Sequence, residues 1–168
     1  YGGELVAGGT FSEVAGLALN NLARWAGSSW QPLHALGVAG HADTAQAAVR
    51  AMTLFDGEVV AAGEFARAGG VACTRVAAWN GAGWRGLGEG LDGRVDALVV
   101  HGGQLVAGGS FTHAGSESAP RLARWDGSRW TALGLGLDGP VHALLSWRGD
   151  LIVGGEFTSA GSVAANRI

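Results

Sequence analysis

The chain has 168 residues with 48% hydrophobic and 15% charged content, a composition that excludes a disordered polypeptide and supplies apolar side chains for a sizeable core. Its formal net charge is −3 and its 11 basic residues are all arginines scattered along the sequence, so no nucleic-acid groove is expected. No apolar run reaches the length of a bilayer span and no charged and apolar leader opens the chain at Tyr1, so the segment is read as soluble, without membrane insertion, with any export signal outside it.

In chain order, the first element is the stretch 4–11, an apolar run that passes through Gly9 to Phe11. Close copies follow at 58–65 with Gly63 and Phe65, at 104–111 with Gly109 and Phe111, and at 150–157 with Gly155 and Phe157. Each copy suits a buried strand ending in a tight turn. The loop after each Phe ends in Ala-Gly and belongs to the same repeat.

The next element alternates up to Trp25, turns at Ala26-Gly27-Ser28 and returns from Trp30. Its copies hold Trp79 with Trp84 and Trp125 with Trp130, separated by turns containing Asn80-Gly81 and Asp126-Gly127. These dipeptides tolerate the positive φ of a tight hairpin. A Gly-rich connection then leads into a Val-x-Ala-Leu strand, as at Val95 and Val141, which turns at a Gly-containing step into the next copy of the first element.

Both tryptophan series repeat at intervals of 54 and 46 residues, and the first-element leucine position repeats at 54, 46 and 46. The eight extra residues are assigned to one place, between Leu36 and Val49, as a projecting loop over 38–48 with a helical turn after Asp43. A 46-residue unit of four antiparallel strands must stack on its neighbours to bury both faces. The fold class is therefore all-β, a β-propeller of four-stranded blades with about three and a half blades over the single segment 1–168. A β-solenoid is the structural alternative, but its coils are usually shorter and lack two glycine-turned hairpins per repeat. Trp25, Trp79 and Trp125 are expected to be largely buried.

The sequence Leu105-Val106-Ala107-Gly108-Gly109, Phe111, Ala114-Gly115, Ala123-Arg124-Trp125-Asp126-Gly127-Ser128 and Trp130 resembles the Kelch-like propeller repeats of large bacterial exported proteins, and is similar also to fungal cortical polarity marker propellers. The resemblance spans the whole chain and departs from the Kelch pattern in lacking a Tyr after the glycine pair. It implies a propeller used for binding or scaffolding, often outside the cell.

The residues offer little catalytic chemistry. His34, His41, His101, His113 and His142 occupy different repeat positions. His41 and Asp43 are read as a solvated loop pair, because a metal site normally needs three or four protein ligands. Asp126 invites comparison with the aspartate-box turns of sialidase-like propellers, but Ala26 and Asn80 stand at its place in the other repeats, so turn chemistry is the shared feature. The Gly-x-Gly patterns near Gly88 lead into strands, with no helix to bind a phosphate. Asp92 and Asp138 are read as turn residues, and Cys73, being alone, forms no internal disulfide.

The expected function is a non-enzymatic binding or scaffold module of a larger exported or cell-surface protein, without a cofactor. It would contact a protein or carbohydrate ligand through loops 12–21, 38–48, 66–74 and 112–120, with His41, Asp43, Arg67 and His113 as candidate binding residues. The alternatives are the propeller of a hydrolase or lyase whose catalytic residues lie on blades outside this segment, and a subunit of an extracellular assembly. The segment opens in the second strand of one blade and stops at the third strand of another, which predicts completion by further blades of the same or another chain.

Overall fold

The computed structural model describes residues 1–40 and 47–168, and packs them as two compact units, 1–86 and 87–168. All regular structure among the described residues is β.

In the first unit, the first repeat forms a three-stranded antiparallel sheet in the order β1 (Leu5–Gly8), β4 (Leu22–Trp25), β5 (Trp30–Pro32), with a small hairpin of β2 (Glu13–Val14) and β3 (Leu17–Ala18) between β1 and β4. The connection contributes β6 (Val38–Ala39). The second repeat supplies β7 (Ala48–Phe55), β8 (Glu58–Glu64), the hairpin strands β9 (Arg67–Ala68) and β10 (Val71–Ala72), then β11 (Val76–Trp79) and β12 (Trp84–Gly86). Its sheet runs β7-β8-β11-β12, the strand order expected from the repeat.

The second unit repeats the plan. Strands β13 (Val95–His101), β14 (Gln104–Gly109), β17 (Leu122–Trp125) and β18 (Trp130–Ala132) make a four-stranded sheet, with hairpin β15 (His113–Ala114) and β16 (Glu117–Ser118). The last repeat pairs β19 (Val141–Trp147) with β20 (Asp150–Gly155) and carries hairpin β21 (Ser159–Ala160) and β22 (Val163–Ala164).

Local chemistry explains the geometry. The turns from first to second strand place both central residues at positive φ: Asp56 and Gly57, Gly102 and Gly103, Arg148 and Gly149. That is the twist a two-residue hairpin needs. Each first strand also carries a bulge near its start, at Val49/Ala51, Val95/Ala97 and Val141/Ala143. The bulge drives the carbonyls of Ala48, Arg94 and Pro140 into the space where a Cβ on Gly63, Gly109 or Gly155 would stand, which accounts for glycine at that place.

At the turns between third and fourth strands, positive φ falls on the glycine alone, at Gly27, Gly81 and Gly127. Asn80 and Asp126 serve instead through their side chains: Asn80 Oδ1 accepts from the amides of Ala82 and Gly83, and Asp126 Oδ1 from those of Ser128 and Arg129, all at 2.9 Å.

The core of the first unit gathers Leu22, Val49, Val59, Phe65, Trp79 and Trp84, and that of the second includes Leu105, Val106, Phe111, Trp125 and Trp130. Trp79 and Trp125 are 7% and 4% exposed, as expected, whereas Trp25 is 36% exposed and departs from the expectation. The cause is coverage by the preceding connection. His34 packs edge-on against Trp79 at 5.6 Å and Gly88 lies under Trp125, whereas the ring neighbour of Trp25 among the described residues is Trp30 of its own sheet.

The strand register also corrects the insertion. Val38, Leu91 and Leu137 hold one structural position, facing Ala68, Ala114 and Ala160. Val49, Val95 and Val141 hold another, facing Gly63, Gly109 and Gly155. Of the eight extra residues, seven therefore lie between Val38 and Val49 and one lies between Leu33 and Val38. Nor do the loop's ends project: Val38, Ala47 and Ala48 are buried, and β6 pairs with β9. The helical turn expected after Asp43 falls outside the described residues.

Candidate functional site

The stretches 12–21, 66–74 and 112–120, expected to vary between repeats, share one backbone. In each, an amide reaches back across the hairpin: Leu19 to the Ser12 carbonyl, Cys73 to Ala66, Ala119 to Thr112 and, in the last repeat, Ala165 to Thr158, at 2.8–2.9 Å. The hairpin closes on Asn21, Arg75 or Arg121, whose amide donates to the Phe11, Phe65 or Phe111 carbonyl. These residues and Arg167 have φ between 64° and 72°, an unusual conformation for arginine. Arg121 Nη1 also donates to the carbonyls of Ser110 and Phe111. The variation lies in side chains on a fixed frame, with Leu17, Val71, Glu117 and Val163 at equivalent tips.

Of the candidate binding residues, His41 and Asp43 fall outside the described residues. Arg67 and His113 take one equivalent position in successive hairpins, and both are engaged locally. Arg67 Nη1 donates to the Gly70 carbonyl at 3.0 Å, and His113 Nδ1 lies 3.2 Å from Asp92.

Asp92 and Asp138 do more than turn the chain. Asp92 accepts from the amides of Thr112 and His113 and from the Thr112 hydroxyl at 2.7–2.8 Å, and Asp138 does the same with Thr158 and Ser159. Desolvation raises the Asp92 carboxyl, but the combined donors from His113 and Thr112 outweigh it and hold the pKa down at about 2. The Thr158 hydroxyl and the amides of Ser159 and Thr158 push Asp138 further down. In the insertion-bearing connection both partners are replaced, by Ala39 and Ala66, and there the backbone pairing extends by one residue through Ala39↔Arg67.

Other reactive groups are likewise engaged or quiet. Burial pushes the Cys73 thiol up to about 11, which leaves little thiolate near neutral pH. His101 Nδ1 and Ser146 Oγ lie 3.0 Å apart and tie β13 to β19. No carboxylate bonds the other His101 nitrogen among the described residues, so the orienting member of a triad is missing. Within the same limits, no three of His, Cys, Asp and Glu gather as a metal-binding group.

An open apolar groove of about 620 Å3 lies in the second unit, lined by Leu122, Leu133, Leu135, Leu151, Ile152 and Phe157 among others. It runs beside β20, which among the described residues pairs with β19 alone.

A family model described as a β-propeller domain of unknown function (DUF5122) matches residues 103–125, the stretch from the turn before β14 to the end of β17. The match supports a β-propeller family for the all-β, antiparallel repeat architecture. No curated protein matches the sequence.

Proposed function

We propose that the chain is a Kelch-like propeller segment of a larger exported or cell-surface protein and acts as a non-enzymatic binding or scaffold module for a protein ligand. The observation that carries this reading is the repeated hairpin, which keeps one backbone while its tip varies. Leu17, Val71 and Val163 are 40%, 43% and 66% exposed, so three of four tips hold an aliphatic side chain in solvent. Scattered exposed aliphatics need no explanation, but recurrence at one structural position on rigid frames favours contact with apolar protein surface. The engagement of Asp92, Asp126 and Asp138 in holding turns further supports a framework role over an acid–base one.

The test is a paired screen of the chain and its Leu17→Ser/Val71→Ser/Val163→Ser variant against immobilised protein and glycan panels, with hydrolase and lyase assays alongside. Saturable protein binding that the folded variant loses supports the reading. Binding unchanged in the variant, glycan binding alone, or catalytic turnover would overturn it.

A further inference from the structure

We propose that Asn80 is a self-modification site, deamidated in the folded chain by its own neighbour, the Gly81 backbone nitrogen, with water as the co-reactant. The nucleophile is available. Asn80 and Gly81 are both exposed, and among the described residues the Gly81 amide donates to no acceptor. Gly81 has a φ of 99° and no Cβ to screen its nitrogen from the side chain before it. The other asparagines differ on this point. Asn20 is followed by Asn21, whose amide is committed to the Phe11 carbonyl at 2.8 Å, and Asn21 by Leu22, whose amide is committed to the Leu19 carbonyl at 3.2 Å. Asn166 is followed by Arg167, whose long side chain crowds the approach.

The electrophile is held and polarised. Asn80 Oδ1 accepts from the amides of Ala82 and Gly83 at 2.9 Å, while the Asn80 amide donates to the Gly83 carbonyl at 3.3 Å, so the turn keeps the side chain folded over its own backbone. Attack on Cγ makes Oδ1 an oxyanion, and two fixed N–H donors on that oxygen stabilise it. The next repeat shows how this cradle treats negative charge. Asp126 Oδ1 takes the amides of Ser128 and Arg129 at 2.9 Å, and the Arg129 and Ser128 amides with the Ser128 hydroxyl hold the carboxyl at about 2.

The reaction balances without an oxidant or reductant. The Gly81 nitrogen loses its proton to solvent base and bonds to Asn80 Cγ, and the adduct expels the side-chain nitrogen as ammonia, leaving a cyclic imide. Water then opens the imide. Attack at Cγ breaks its new bond to the Gly81 nitrogen and gives aspartate on a normal backbone, whereas attack at the main-chain carbonyl gives isoaspartate, with the chain running through the side chain. The aspartate product can take the same two amides that Asp126 takes, so the fold already contains a working copy of it. The neutral turn of the second repeat thereby becomes the acidic turn of the third, a one-way gain of negative charge at one place on the surface.

The test is to age the full chain in mildly alkaline buffer, below its melting transition, and to follow ammonia release together with peptide mass at each asparagine. Conversion at Asn80 is expected to be at least about ten-fold faster than at Asn20, Asn21 or Asn166. Asn80→Asp is expected to melt within a few degrees of the parent, since the carboxylate keeps both amide bonds. An Asn80 that stays intact, or that converts no faster than Asn20 and Asn21, would overturn the proposal. So would loss of cooperative melting in Asn80→Asp. A rate that rises in proportion to the unfolded fraction as urea is added would overturn it as well, because the turn would then protect Asn80 instead of activating it.

Discussion

Trp25 and Trp79 stand at the same place in successive repeats of one compact unit, and the difference in their coverage predicts a difference in energy. Each loses a comparable aromatic partner on truncation, since Trp25–Trp30 and Trp79–Trp84 centroids lie 5.4 and 5.6 Å apart. Trp79→Ala should cost about 3–5 kcal/mol, as for other core aromatics. The exposures of 36% and 7% differ by 29 points. For a side chain that buries roughly 250 Å2, this is about 70 Å2, worth about 2 kcal/mol. Trp25→Ala should therefore cost about 2 kcal/mol less than Trp79→Ala. Urea unfolding followed by circular dichroism measures both in the same transition. Equal costs, or a loss below about 1 kcal/mol for Trp79→Ala, would refute the assignment of coverage to the preceding connection.

The paired glycines Gly108 and Gly154 give a similar contrast: Gly108→Ala would set a methyl 2.5 Å from Val141 and should cost about 1–3 kcal/mol. Gly154→Ala, with nothing nearer than 3.8 Å, should be nearly neutral in the same chemical denaturation assay. Asp92 is held below its ordinary value, so its contribution is fully present above about pH 4 and is lost as pH falls through about 2. Asp92→Asn should flatten that part of an acid-unfolding curve, and an unchanged curve would remove Asp92 as its source. Deleting residues 41–47 restores the four-residue step from Leu91 to Val95 at the Val38–Val49 connection and should leave melting within a few degrees of the parent. Loss of cooperative melting would make the insertion part of the core.

The order of the four main strands could be read from the sequence because each carries an apolar marker at a fixed interval. The hairpins between second and third strands could not, since strands of two residues such as β9 and β15 are too short to show alternation. The left-handed arginines Arg75, Arg121 and Arg167 also escaped notice. Their 46-residue spacing was visible, but arginine carries no expectation of positive φ. Asp92 and Asp138 stood out as repeated turn residues, whereas their donors lie 20 residues on, across a connection, where spacing alone reveals no contact. The site was less legible for a related reason. A groove is defined by what does not cover Leu133, Gly134 and Ile152, and coverage belongs to the packing between repeats.

The pairings of Val38 with Ala68 and of Val49 with Gly63 bracket the seven added residues so closely that the strand phase is recovered on either side. Lengthening a bracketed loop from 4 residues, as between Leu91 and Val95, to 11 costs only about 1 kcal/mol of closure entropy. Such a junction is a natural acceptor for foreign sequence. A duplicated ancestor could diversify there without disturbing its sheets, and the same junctions at 91–95 and 137–141 are where an engineer should graft a reporter peptide or a binding loop, each already framed by a bridge before it and a bulge after it.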